Sequence, residues 1–449
     1  MSFAEWLLSF ALIVGAAVPL FGILRMLLVP FAIAFEFDDR RRRNRRHSRW
    51  QLLEAERERR TKRLHTDRDE LVDARPRVTV VVPGYNESKV IDNCVRSIVN
   101  CGYPNLEVLL VDDGSSDDTF ARMQRLEAEH EVVRAFTQPN GGKGAALNNG
   151  IRRASGEVLI LVDADGLFLP DTIDELLAGF DDPRVGAVCG DDRPVNLDRV
   201  QTKFMALISH VGTGLMRRAL HLLRCMPVVS GNSGAFRRSA LEDVGLLRED
   251  TIGEDLELTW RLHRAGYRVS FAPRALVYAE SPSTLRGLWK QRVRWARGLL
   301  HGYRIHAGAV GNPRYGSFGV FLLVNFAMSV VLPVVQLVLL AIALVLLAMG
   351  VGALVPLGVW QAVLWLGYPV SLLLIVIAVA LNRALGDLKH LWALPLWPLY
   401  SVWMNMVMVK AIWLELRGAP QRWNKLERTG VVSVEAARSS ASMDAEVTQ

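Results

Sequence analysis

Cysteine is scarce: the 449 residues hold four, Cys94, Cys101, Cys189 and Cys225. They form no CxxC pair and no framework spacing. That excludes a small disulfide scaffold and suits free thiols in a reducing compartment. The nine histidines form no HExxH or HxxxH pattern, so no zinc site is expected. Charge is missing over long stretches. Trp6–Leu24 and Leu391–Val409 carry none, and Tyr315–Asn382 runs 68 residues without Asp, Glu, Lys or Arg. About 20 apolar helical residues cross a bilayer core of about 30 Å, so these runs read as membrane spans. A secretory leader fits the first run poorly. No positive charge precedes it, and apolar sequence continues past Arg25 to Phe35.

What is present excludes disorder as the main theme: 51% of residues are hydrophobic and mean hydropathy is +0.19. The chain divides into an N-terminal membrane helix (1–37), a basic juxtamembrane helical linker (38–77) and a polar α/β domain (78–284). An interfacial helix region (285–314), membrane or interfacial helices (315–416) and a polar tail (417–449), disordered from about Val431 onward, follow. No internal repeat is visible. The 68-residue run holds two helices, breaking near Met349–Gly358 where Gly350, Gly352 and Pro356 cluster.

Seven arginines lie between Arg40 and Arg49, and no Lys or Arg precedes the first span. The positive-inside rule then puts the N-terminus outside and the central domain in the cytoplasm. The basic block reads as orientation and contact with anionic lipid rather than nucleic-acid binding. One span before the domain and three after it would leave the tail outside, yet Arg417, Arg422, Lys425 and Arg428 prefer the inside. One apolar segment is therefore expected to be re-entrant or interfacial. Leu391–Val409, interrupted by Pro395 and Pro398, and Ser317–Val331 both qualify.

Within the central domain, apolar runs at Val78–Val82, Leu106–Val111 and Glu157–Val162 alternate with helical stretches such as Lys89–Val99 and Thr119–Glu129. This predicts a mostly parallel sheet with ligands at the carboxyl ends of its strands. Polar groups follow all three runs. Asp163-Ala164-Asp165 is either a turn or a pair of carboxylates holding a divalent cation shared with substrate phosphates. Asp112–Thr119 is either a turn into a helix capped by Asp117 or Asp118, or a carboxylate for a nucleobase or ribose. Gly141-Gly142-Lys143-Gly144 precedes a helix near Ala145 and can face phosphate, though it lacks Walker A spacing. Gly253-Glu254-Asp255 opens an amphipathic helix and offers either a cap or a base for an acceptor hydroxyl. Gln291, Arg294 and Trp295 share one helical face, offering an amide, a guanidinium and an aromatic plane, or simply a membrane-interface helix.

In order, PGYNES, DDGSSDDT, GKGAALNNG, VDADG, SGNSGAFRRSAL, GED and QRVRW resemble the processive family 2 glycosyltransferases, the cellulose, chitin, hyaluronan and poly-N-acetylglucosamine synthases. The resemblance covers about Val78 to Leu300. Thr284–Lys290 looks most like the bacterial poly-β-1,6-N-acetylglucosamine synthases. It implies a GT-A (Rossmann-like) fold flanked by transmembrane helices, in a multi-pass plasma-membrane protein. A UDP-sugar donor, most simply UDP-N-acetylglucosamine, and Mg²⁺ or Mn²⁺ are implied with it. Tyr85, Glu87 and Asp113 would hold the uridine, with Lys143 also on the nucleotide sugar. Asp163 would contact the nucleotide and Asp165 the metal, the two forming the metal pair. Asp255, beside Glu254, would be the general base of an inverting displacement. Gln291, Arg294 and Trp295 would bind the diphosphate and the acceptor end of a growing polysaccharide. Membrane lipids and an accessory export subunit are the further partners, and no nucleic acid is expected. The family often has Thr where this sequence has Gly253, which loosens the inference about linkage and donor. No cyclic-dinucleotide module is expected in the short tail. Other β-glucan or glycosaminoglycan products, and transfer of one sugar to a lipid carrier, are the rival readings.

Overall fold

The computed structural model describes residues 3–5, 7–8, 25–43, 75–351, 359–420 and 430. The first uncharged run lies almost wholly outside these residues, as do most of the linker and the tail beyond residue 430. The central strands and helices alternate: β1 (Val78–Gly84), α1 (Ile91–Val99), β2 (Leu106–Asp112), α2 (Thr119–Glu129), β3 (Val133–Thr137), α3 (Lys143–Arg153) and β4 (Val158–Leu161). These four strands lie side by side in the order β3-β2-β1-β4, all parallel. Every residue of β1 is buried. Val80 and Val82 enter one core while Val81 enters the other, because successive side chains leave opposite faces of a strand. Helices cover both faces, so the strand reads as a continuous apolar run. Each fully buried valine contributes about 1.5–3 kcal/mol. The one polar residue in that run, Thr79, is satisfied: its hydroxyl donates to Glu107 (2.5 Å) and accepts from the Gly156 N–H (2.8 Å).

The sheet is mostly parallel, as expected, and its second half holds the antiparallel pairings. After β5 (Leu167–Phe168) and α4 (Thr172–Leu177) come β6 (Val185–Pro194), α5 (Val200–Ser209), α6 (Met216–Leu222), β7 (Gly234–Arg237) and α7 (Arg238–Val244). Next are α8 (Glu254–Arg264), β8 (Arg268–Ala279) and α9 (Leu285–Ile305). The full order is β3-β2-β1-β4-β7-β6-β8-β5, with β7 antiparallel to both β4 and β6. Four of the seven pairings are parallel. Reversal of β7 puts its N-terminal end, and Ser230–Asn232 before it, at the same sheet edge as the C-terminal ends of β1, β2 and β4. That edge carries the site.

α10 (Gly316–Phe326) and α11 (Leu332–Ala348) run on through a π-helical turn. α12 (Val359–Leu381), a 3₁₀ segment (Leu385–Leu396) that contains Pro395, and α13 (Trp397–Leu416) with Pro398 in its first turn follow. Among the described residues one helix, Pro313–Ala348, is long and apolar enough to cross a membrane. Its most apolar window is only 22% buried, unlike a soluble core helix. Val320, Leu323, Val324, Leu344 and Val345 are all more than half exposed.

The helix over residues 29–43 crosses the expected boundary at residue 37 and docks on the sheet domain. Arg43 makes a two-pronged ion pair with Glu175 (2.7 Å each), and Arg42 pairs with Asp38. Two arginines expected to face lipid are thus engaged by carboxylates. Arg218 joins three segments. It donates to Glu36 (2.6 Å), to Gly214 O (3.0 Å), and to Asn382 Oδ1 and Leu381 O at the end of α12.

Candidate active site

Two loops leave the ends of β1 and β2 and are pinned together. Asn86 sits at φ 56°, and its amide oxygen accepts from Ser116 N (2.7 Å) while its own N–H donates to Ser115 Oγ (2.8 Å). This left-handed residue, a conformation asparagine tolerates, places half-buried Tyr85 on one side and buried Glu87 on the other. Asp117 accepts from the N–H of Thr119 (3.0 Å), whereas Asp118 binds Arg122 and caps nothing through its side chain.

Asp113 is buried and its carboxylate is taken up by the loop after β3. Oδ1 accepts from Gln138 (2.8 Å) and Gly141 N (2.8 Å), and Oδ2 from Gly142 N (2.8 Å). Gly142 has φ 89°, a conformation suited to glycine. The loop therefore delivers α3 with Lys143 as its first residue, two positions earlier than expected. Buried Asn148 locks α3 to the loop after α7 through Leu247 O (2.9 Å), Leu247 N (3.0 Å) and Glu249 (2.8 Å).

Lys143 does not lie open toward a phosphate. Its Nζ is 2.6 Å from Asp163 Oδ1 and 3.2 Å from Glu254 Oε1. Burial alone would lower its pKa, but the carboxylates of Asp163, Glu254 and Asp255 hold it above the ordinary lysine value. Asp255 is pushed up to about 6, first by burial and then by Glu254, with Lys143, the Leu256 N–H and Arg294 pulling the other way. Its Oδ1 accepts from Leu256 N (2.7 Å) and its Oδ2 from Gly231 N (3.3 Å). Gly231 matters for space: a Cβ there would lie 2.8 Å from Lys143 Nζ.

Asp163 is about one-third exposed and Asp165 is buried. The buried Cys94 thiol lies 3.6 Å from Asp163 O and is pushed up by burial and by the charges of Asp165, Asp163 and Glu87. Beside them, Asn232 Oδ1 is buried without a hydrogen-bond partner and faces Gly166, where a Cβ would come within 2.4 Å of it. No group of three or more His, Cys, Asp or Glu side chains suited to a metal forms among the described residues. Two carboxylates and a spare amide oxygen fit Mg²⁺ or Mn²⁺ that shares its remaining positions with substrate phosphate and water.

α9 arrives over the Glu254-Asp255 turn by close backbone approach. A Cβ on Gly253 would lie 3.0 Å from the Gly298 Cα, and one on Gly298 would lie 3.1 Å from the Gly253 Cα. Gly253 has φ −130°, so the requirement is space, not conformation. His301 Nδ1 adds a contact to Thr251 Oγ1 (3.0 Å). Arg294 is thereby brought to act on Asp255. Trp295 is 49% exposed, with the Arg292 guanidinium 4.3 Å from its ring centre. Among the described residues no hydrogen bond or ion pair joins Gln291 or Trp295 to the carboxylates.

The structure thus assembles Lys143, Asp163, Glu254 and Asp255 at one point, with Arg294 near enough for its charge to act on Asp255. Asp113 sits apart as the loop's anchor. Gly231 and Asn232 lie within the SGNSGAFRRSAL motif, which assigns them no role, and Gln138 lies outside the motifs. Gly231-Asn232 carries a signal only as a Gly-Asn-Ser-Gly turn, whose position depends on the reversal of β7.

Residues 76–298 match the family described as "Glycosyltransferase like family 2". Over 228 residues the chain is 34% identical to the poly-beta-1,6-N-acetyl-D-glucosamine synthase of Staphylococcus aureus (strain COL), covering 51% of this chain and 55% of that protein. The synthase of the same name from Staphylococcus epidermidis is 34% identical over 222 residues, covering 49% and 54%. The chain spans about half the length of the curated relatives it matches. Its fold is similar to that of PcManGT, a mannosyltransferase from Pyrobaculum calidifontis solved in complex with GDP-Man and Mn²⁺. The TM-score is 0.51 at 25% identity, over 79% of this chain and 98% of that one.

Proposed function

We propose that this chain, which carries a family 2 glycosyltransferase domain over residues 76–298, is a membrane-embedded, processive, inverting β-glycosyltransferase. It adds N-acetylglucosamine from UDP-N-acetylglucosamine to a growing polysaccharide and passes the polymer across the plasma membrane. The catalytic domain faces the cytoplasm. The observation that carries the reading is Asp255. It is a half-buried carboxylate with its pKa raised to about 6, beside Lys143, Asp163 and Glu254, beneath the helix bearing Gln291, Arg294 and Trp295. The 34% identity to the synthases over this half of the chain supports the donor.

In this reading Asp255 takes the proton of the acceptor hydroxyl as its oxygen attacks the anomeric carbon. The bond from that carbon to the diphosphate breaks, and UDP leaves with the bonding pair. A base titrating near 6 is ionised at neutral pH yet still basic enough to accept a proton. Lys143 holds Asp163 and Glu254 in place and keeps the cluster's charge from pushing Asp255 higher. Arg294 and Gln291 face the departing diphosphate, and Trp295 offers a plane for a sugar ring. Tyr85 and Glu87 line the nucleoside side, and Asp113 shapes that wall by fixing the loop to Gly142. Asp163 and Asp165 would hold Mg²⁺ or Mn²⁺, which neutralises diphosphate charge when bound.

The exposed apolar surface of Pro313–Ala348 supports the membrane assignment, with α12, α13 and the N-terminal run as further spans. An accessory export subunit and membrane lipids are the partners this implies. A second reading is transfer of a single sugar, favoured by one observation: the chain covers 98% of the mannosyltransferase but about half of each synthase. Purified protein with Mn²⁺ should release UDP from UDP-N-acetylglucosamine and build a long, enzyme-digestible polymer. A product of one sugar would decide for the second reading.

A further inference from the structure

At the opposite end of α8 from Glu254 and Asp255, about 15 Å along the helix at 1.5 Å per residue, lies a cavity of about 640 Å³. Six arginines line it: Arg42, Arg184, Arg224, Arg264, Arg268 and Arg314. Three aspartates answer some of them, Asp38 holding Arg42 from outside the cavity, and Arg264 donates to His306 Nδ1 (2.9 Å). Asp182 pairs with Arg184 (2.8 Å) and Arg268 (2.7 Å), and Asp181 lies 4.0 Å from Arg42. Arg224, Arg264 and Arg314 are exposed, and among the described residues none has a carboxylate within ion-pair distance. The lining histidines add no charge. His221 Nδ1 accepts from the Phe271 N–H (3.1 Å), and burial pushes both His221 and His263 down to about 4. Among the described residues, Arg224, Arg264 and Arg314 thus leave the cavity with positive charge that no carboxylate pairs.

Two further features are independent of that charge. Arg224 follows α6 at φ 56°, the left-handed position where helices favour glycine, and it is one of three such non-glycine residues among those described. An arginine held there at a conformational cost implies a use for its side chain. Arg314, Tyr315, Ser317 and Phe318 form the wall where the chain enters α10, the start of the long apolar helix, and Ser317 Oγ ties that wall to Leu223 O (2.5 Å). Val320, Leu323 and Val324 follow directly and are exposed. A guanidinium cluster adjoins an apolar, solvent-facing helix.

We propose that this cavity is a phosphate-binding site, filled by the phosphate of an anionic phospholipid whose chains lie along α10. Guanidinium forks suit phosphate oxygens, and the exposed valines and leucine suit acyl chains. The lipid source rests on the membrane reading above; the phosphate chemistry does not. The site is separate from the donor pocket, so occupancy would fix how the domain sits on the membrane without touching the reacting atoms.

Full-length protein in detergent is titrated with phosphatidylglycerol, phosphatidylcholine and inorganic phosphate, with binding read by native mass spectrometry. The wild type should bind phosphatidylglycerol saturably, about tenfold or more tighter than phosphatidylcholine, each charged contact being worth about that factor. Arg224→Gln combined with Arg314→Gln should erase the difference, while UDP release from the sugar donor stays unchanged. Arg224→Gly, which suits the backbone, should weaken phosphatidylglycerol binding without lowering the melting temperature. Equal binding of both lipids, or no loss in the arginine variants, would overturn the proposal. Inorganic phosphate binding as tightly as phosphatidylglycerol in an arginine-dependent way would overturn the lipid source and move the site to a soluble anion. UDP release measured on the same samples reports separately on the transferase reading.

Discussion

Lys143→Met should move the acid limb of the pH–rate profile upward. Methionine keeps an unbranched, apolar side chain but removes the charge that lies 2.6 Å from Asp163 and 3.2 Å from Glu254. Asp255 would then share its surroundings with two carboxylates and one cation fewer, and like charge favours its protonated form. A Cβ at Gly231 is 2.8 Å from Lys143 Nζ and 3.6 Å from Asp255 Oδ2. The two charges are thus no more than about 6.4 Å apart, worth about 2.6 kcal/mol at an effective dielectric of about 20. That corresponds to about two pKa units, and solvent screening of a half-buried group reduces it to about one. A base works only when deprotonated. The limb near 6 in the wild type should therefore lie near 7 or above in the variant, with the maximal rate on the alkaline side largely retained. The assay is the initial rate of UDP release at saturating donor across the acid-to-neutral range, with circular dichroism as the folding control. A limb that stays at about 6, or moves down, would refute the coupling of Lys143 to the base.

The other expectations concern packing and stability. Gly253→Ala should force α9 away from the Glu254-Asp255 turn, at about 1–3 kcal/mol. Its turnover should fall more than its melting temperature suggests; unchanged turnover would show that the Gly253–Gly298 approach does not position the helix. Trp260, fully buried with its Nε1 donating to Pro227 O (3.0 Å), should cost about 3–5 kcal/mol as Trp260→Ala, seen as a lower unfolding midpoint. Stability should also fall in acid. His221 and His263 titrate near 4 when folded against about 6.5 unfolded, so the unfolded chain binds more protons between those values. Their contribution is complete above 6.5 and lost as pH falls toward 4, at most about 3 kcal/mol each. Asp255, shifted the other way, offsets part of this. A midpoint that does not fall over that interval would contradict the burial of these rings.

Three of the four parallel strands are legible in the sequence because β1, β2 and β4 are buried on both faces over most of their length, whereas the edge strand β3, with Val133 alone buried, leaves no apolar run to read. The apolar runs at Val78, Leu106 and Glu157 mark β1, β2 and β4 to within a residue or two. Their polar ends mark the site. β7 is not legible in this way. Four residues, Gly234–Arg237, carry no pattern that specifies antiparallel insertion between β4 and β6, and so the arrival of Gly231 and Asn232 at the site is a tertiary fact. Lys143 shows the same gap at the level of chemistry. A glycine-rich turn before a helix suggests a phosphate cradle, but its partners are set by α8 and by the loop after β4, far away in sequence. Gly253 looks like a departure from the family's usual threonine until Gly298, on the facing helix, explains it.

The central claim is that Asp255 is the base of sugar transfer from a UDP donor. Detergent-purified protein with Mn²⁺ is offered UDP-N-acetylglucosamine, UDP-glucose, UDP-glucuronate and UDP-galactose in turn, beside the Asp255→Asn variant, with UDP release and UDP affinity both measured. The account predicts turnover with UDP-N-acetylglucosamine. In Asp255→Asn, turnover should fall about 10²–10⁴-fold, the usual worth of a general base, with UDP affinity nearly unchanged. Near-normal turnover in Asp255→Asn would contradict it.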